Sequence, residues 1–208
     1  MEDILEVYQR PFDADCPVVC MDEQPIQLTK ETRIPLPIEP GRPERIDYEY
    51  HRNGTACIFM FNEPKAGTRR VCAQPQRTMT DWAHQIKHLL DEQYPDAEKV
   101  ILVCDNLNTH KPAALYKTFK PQEARRLLDR LEIHYTPKHG SWLNMAEIEL
   151  AALTKQCLGR RIPDLPTLKK ELTAWNTERD NNTIKINWQF TTADARTRLH
   201  RLYPVIND

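Results

Sequence analysis

Val100-Ile101-Leu102-Val103-Cys104-Asp105-Asn106 decides the fold class. Five apolar residues run without a break and then stop at an acid. The run is too short for a helix with two buried faces, and it does not alternate as a half-exposed strand would. It therefore reads as a strand covered on both faces, which belongs to an α/β sheet with helices above and below. Asp105 follows at the strand's carboxyl end, where ligands collect in open sheets of this kind.

Upstream, Val18-Val19-Cys20-Met21 is a second short apolar run, ending in Asp22-Glu23. If the two runs are neighbouring strands, about 4.8 Å apart, Asp22 and Asp105 can share one hard cation. Mg²⁺ takes oxygen ligands and is commonly held by one or two carboxylates plus substrate phosphates. Glu23, next in line, should face the opposite side of the sheet.

Between the runs, Arg45 to His51 alternates and Thr55 to Phe61 is almost wholly apolar. Asn53-Gly54 separates them and predicts a tight hairpin. Arg69 to Gln74 reads as a third antiparallel strand after a turn at Lys65-Ala66-Gly67. Pro25, Pro35, Pro37, Pro40 and Pro43 make the stretch between Pro25 and Pro43 an irregular or extended segment. Helical spacing covers Thr80 to Tyr94, Pro112 to Leu131 with a break at Pro121, Leu143 to Leu158, and Leu165 to Asn181 with Asp164 as N-cap. Met1 to Pro17 holds a short helical pattern, Ile133 to Thr136 a short strand, and Thr191 to Leu202 a last helix. The succession implies a sheet of mixed direction flanked by helices.

Composition sets limits. The 208 residues are 40% hydrophobic and 28% charged, enough for one globular domain with its own core. No apolar run approaches a membrane span, and a soluble intracellular protein is expected. Six cysteines lack the paired spacing of a zinc site. A net charge of −1 sets this chain apart from proteins that grip DNA through phosphate neutralisation alone. No Gly-rich phosphate loop and no Gly-x-Ser-x-Gly elbow is present, so no nucleotide cofactor or serine nucleophile is expected.

Thr136-Pro137-Lys138-His139-Gly140-Ser141-Trp142-Leu143-Asn144, with Glu147 just beyond, is the third informative block. With Val18 to Glu23 and Val103-Cys104-Asp105-Asn106 followed by Thr109-His110, it resembles the bacterial insertion-sequence transposases of the mariner superfamily. Three motifs recur in order, over roughly residues 15 to 160. The resemblance implies an RNase H-like (retroviral-integrase-like) mixed sheet and a single DDE catalytic domain over 1–208. It implies Asp22, Asp105 and Glu147 as catalytic and metal-binding residues, and two Mg²⁺ ions with Mn²⁺ as substitute. Asp22 would bridge the ions, with Asp105 on one and Glu147 on the other. It also implies DNA partners (element ends and target), a homodimer, no membrane and a nucleoid-associated location in the bacterial cytoplasm. Lys138, His139, Ser141, Trp142 and His110 are the expected nucleic-acid contacts.

Helical periodicity leaves Glu149 as a rival to Glu147, since both flank the stripe formed by Leu143, Ala146, Leu150, Leu153 and Cys157. A nuclease or resolvase without strand transfer, and a non-catalytic remnant, are the alternative functions. The stretch before Asp22 is too short for the helix-turn-helix region usual in this family, so end recognition is expected to reside outside these residues.

Overall fold

The computed structural model describes residues 1–203. Five strands form one sheet in the order β3-β2-β1-β4-β5. They are β1 (Val18–Glu31), β2 (Tyr50–Glu63), β3 (Thr68–Gln74), β4 (Val100–Cys104) and β5 (Leu131–Tyr135). β1, β2 and β3 pair antiparallel, while β4 and β5 join parallel to β1 and to each other. Among the described residues the α-helices are α1 (Glu2–Gln9), α2 (Met79–His88), α3 (Pro112–Thr118), α4 (Pro121–Asp129), α5 (Ala146–Gln156), α6 (Leu165–Asn181) and α7 (Thr192–Arg198). Among the described residues, no helix is long and apolar enough to cross a membrane.

The apolar strands are continuous because each feeds two cores. Cys20, Ile58, Met60, Ile101 and Val103 pack under α1, α5, α6 and α7. Val19, Met21, Phe59, Phe61, Leu102 and Cys104 pack against α2, α3 and α4. Alternate residues of one strand thus serve opposite layers.

Three expectations need correction. β1 does not end at the acids: it runs on to Glu31 along β2, and Pro25 lies within it opposite Cys57. β4 pairs with β1 only as far as Cys20, so Pro25 sits where β1 has a free edge and no partner needs the missing N–H. Asn53-Gly54 is no hairpin. β2 passes straight through it, and the register with β1 slips there between Gln27 and Thr29. Gly54 has φ +89°, so the dipeptide's tolerance of positive φ is spent on a bulge. Finally, α5 starts at Ala146 rather than Leu143, behind a 3-10 turn over Ser141–Leu143.

The β2–β3 turn works as expected. Gly67 has φ +77°, and a Cβ there would lie 2.9 Å from the Thr183 carbonyl oxygen. Gly67→Ala is expected to lower stability by at least about 1 kcal/mol, from the strained backbone and the clash together. Urea unfolding of the two proteins measures this directly.

Candidate active site

The parallel pairing sets the geometry. Val18, Val19 and Cys20 stand beside Ile101, Leu102 and Val103. Asp22 and Asp105 each follow two residues after the last pair, Cys20 and Val103, and Asp22 keeps to the sheet face of Cys20. That face is covered by α5, whose first turn carries Glu147. Asp22 and Glu147 line one open depression together with Glu23, Gln24, Leu150 and Lys155.

Asp22 is partly buried, and Glu23 N donates to its Oδ1 at 2.7 Å. Burial pushes its carboxyl up to about 6, against the lowering effect of that hydrogen bond, and the negative charges of Asp105 and Glu147 push the same way. Three acids therefore act on one another here. Among the described residues no three His, Cys, Asp or Glu side chains converge to metal-binding distance; like-charge repulsion among three carboxylates opposes such convergence. The donor chemistry nevertheless suits a hard divalent cation. All three groups offer oxygen, and a cation between them would relieve the repulsion that raises Asp22.

His110 stands behind Asp105. It is fully buried, with its ring stacked on Trp82 at 5.6 Å. Nε2 lies 3.0 Å from Glu23 Oε1, and Tyr135 Oη donates to the His110 carbonyl at 2.7 Å. Nδ1 lies 2.6 Å from Asp105 Oδ1 and 3.4 Å from the Asp105 carbonyl oxygen. Burial lowers the basicity of His110, but Asp105, Cys104 and Glu23 outweigh it and push the ring up to about 11. With no exposed surface, His110 offers nucleic acid nothing to touch; its place is that of a support for Asp105. Glu23 faces the opposite layer from Asp22, as strand alternation requires, and there it meets His110.

The rival glutamates separate. Glu149 is fully buried. Its Oε2 lies 3.0 Å from Arg69 Nε, and its Oε1 lies 2.7 Å from Arg179 Nη2. Arg69 Nη1 also reaches Asp180 at 2.9 Å. Glu149 is thus consumed in an ion cluster joining α5 to β3 and α6, while Glu147 stays partly exposed beside Asp22. Sequence reasoning missed this cluster, because Arg69 and Arg179 carry no local signal of burial.

Lys138, His139, Ser141 and Trp142 are all exposed on the loop leading into α5. His139 has φ 62°. Trp142 stacks on Trp188 at 6.5 Å and meets Phe190 edge-on at 5.6 Å. Several further basic side chains are committed to the fold. Arg126 pairs with Asp91 and Glu123, Arg130 caps the carbonyls of Leu90, Tyr94, Pro95 and Ala97, and Arg161 pairs with Glu31. His84 packs edge-on against Phe119, and His88 pairs with Glu92.

A mixed sheet with carboxylates just past the parallel pairing of two strands, faced by a helix that carries a third, is an RNase H-like arrangement. Solved structures share the fold. The chain superposes on the Mos1 mariner paired-end complex with Mn at a TM-score of 0.59 and 19% identity, covering 88% of this chain and 54% of that one. The Mos1 strand transfer complex gives a TM-score of 0.59 at 18% identity, covering 88% and 53%. The catalytic domain of Mos1 mariner transposase gives 0.53 at 15% identity, covering 88% and 87%. The chain spans about half the length of the chains in the two complexes. No curated protein sequence matches. A family profile described as DDE superfamily endonuclease matches residues 17–169. The chain belongs to that family.

Proposed function

We propose that this chain is the catalytic domain of a DNA transposase, cutting DNA at the ends of an element and joining those ends to target DNA. Asp22, Asp105 and Glu147 would hold two divalent ions, Mg²⁺ by preference and Mn²⁺ in its place. The observation that carries this reading is geometric: Asp22 and Asp105 follow the last paired residues of two parallel strands, and Glu147 lines the same depression as Asp22. When bound, the ions supply charge neutralisation and an activated oxygen for in-line displacement at phosphorus.

The protein's own groups do the rest. β1 and β4 bring two acids to neighbouring positions just past their parallel pairing, and α5 presents the third in the depression that Asp22 lines. His110 holds Asp105 from behind. Lys138, His139, Ser141 and Trp142 offer a donor-rich strip for a DNA strand, with the Trp142 ring, 44% exposed and backed by Trp188, as a face for a base. Joining two ends at one target calls for two copies of the chain, hence a homodimer on DNA.

The test supplies element-end DNA, either intact or already carrying a free 3′ hydroxyl, with Mg²⁺. With a DNA-binding segment for those ends supplied in fusion, joined products from the pre-cut end are expected from the wild type and not from Asp105→Ala. Fragments without joining would make the protein a nuclease instead. Identical Mg²⁺ and Mn²⁺ titration profiles for wild type and Asp105→Ala would remove the metal site.

A further inference from the structure

We infer that Asn144 is a positioning residue: one buried amide ties the strand carrying Asp22 to the helix carrying Glu147, so that acids far apart in the chain face one cation. The inference rests on the reading of Asp22 and Glu147 as metal ligands. Asn144 is 1% exposed. Its Nδ2 donates to the Met21 carbonyl at 2.8 Å, and its Oδ1 accepts from Ala146 N at 3.1 Å. Met21 immediately precedes Asp22, and Ala146 immediately precedes Glu147. A single planar group therefore touches the backbone beside both acids.

The sheet explains why the Met21 carbonyl is available. The Pro17 carbonyl accepts from Ile101 N, so alternate carbonyls of β1 face β4. The Met21 carbonyl faces the same way, one rung beyond the last pairing at Cys20 and Val103. Asn144 takes the place of the missing rung. It also satisfies a first-turn N–H of α5, a helix whose N-cap residue Met145 makes no side-chain cap. Only a side chain with donor and acceptor on one rigid centre does both. Tyr8 of α1 holds the same stretch from the other side: its hydroxyl donates to the Leu143 carbonyl at 2.6 Å, and Met145 N donates to that hydroxyl at 3.5 Å. The residues leading into α5 are thus fixed to β1 and to α1 before any ligand is present.

Mn²⁺ binding to the whole chain, measured without DNA by the electron paramagnetic resonance of free Mn²⁺, tests this alongside thermal unfolding. Asn144→Ala removes both bonds. Asn144→Ser keeps an acceptor for Ala146 N but is too short to reach Met21. Leu153→Ala, in the buried face of α5, loosens the helix without touching either bond. Both Asn144 variants are expected to bind Mn²⁺ about 10- to 100-fold more weakly, the usual effect of removing a group that orients metal ligands. Leu153→Ala should bind as the wild type does, despite a lower melting temperature. Wild-type affinity in either Asn144 variant, or an equal loss in Leu153→Ala, would overturn the inference. Undiminished binding by both Asp22→Ala and Glu147→Ala would instead overturn the site on which it rests.

Discussion

Asp22→Asn is expected to abolish DNA cleavage and, in the same protein, to raise the melting temperature of the metal-free chain at pH 7. The loss of activity follows from the proposed site: Asp22 is one of the three carboxylates that would hold the ions, metal-ion charge stabilisation is worth several kcal/mol in the transition state, and about 4 kcal/mol is about a thousandfold in rate. The gain in stability comes from the environment of Asp22. Its carboxyl stands at about 6 in the folded chain, above its ordinary value of 3.8. Between those pH values the folded state binds more protons than the unfolded one, so stability falls as pH rises and the full cost is present at pH 7. At 1.36 kcal/mol per pH unit, and discounted for partial exposure, that cost is on the order of 2 kcal/mol. Asparagine keeps an oxygen for Glu23 N and carries no charge. The melting temperature should rise by about 4–8 °C for a chain of this size, and the rise should vanish below pH 3.8. Melting curves in a chelator at pH 7 and pH 3.5 read the difference. An Asp22→Asn protein that still cuts DNA, or melts lower at pH 7, would contradict both parts.

The second large effect falls on Glu149. Removing it by Glu149→Ala leaves Arg69, whose side chain is 1% exposed, facing only Asp180, and leaves Arg179 half-buried without its carboxylate. Breaking a buried pair in this way costs about 3–5 kcal/mol, enough to lower the melting temperature by about 10 °C. Glu147→Ala should do the reverse. Glu147 is partly exposed and lines an open depression, so stability should change by less than about 1 kcal/mol while cleavage disappears. Circular dichroism melts of the two variants beside a cleavage assay separate the glutamates. Equal destabilisation by both substitutions would falsify the division of roles.

Local patterns decided what could be read without coordinates. The five apolar residues from Val100 to Cys104 announce a doubly covered strand, because both side-chain parities must be apolar when both layers are filled. Asp164 and the spacing of Leu168, Leu172 and Trp175 mark α6 to the residue, since cap and stripe are local signals. Asn53-Gly54 misled because it specifies a backbone conformation and not an element: positive φ serves a bulge as well as a turn, and β1 is long enough to carry β2 through it. Pro25 misled because its missing N–H matters only on a paired edge. The choice between Glu147 and Glu149 was closed to periodicity, since the partners that bury Glu149 lie on β3 and α6. His110 could be placed near the acids by its motif, but its burial against Trp82 depends on how α2 crosses the sheet.

The ion cluster around Glu149 also bears on what counts as one unit of this protein. The family profile ends at residue 169, within the second turn of α6, yet Arg179 lies further along that helix. It begins at residue 17, after the helix that brings Tyr8 against the entry to α5. A segment trimmed to those borders would keep every acid of the site. It would lose a counter-charge of a buried glutamate, a hydroxyl that holds the third motif, and most of the helix that covers β3. The stretch that identifies the chemistry is therefore shorter than the set of residues that packs around it, and those margins brace the helix that carries Glu147.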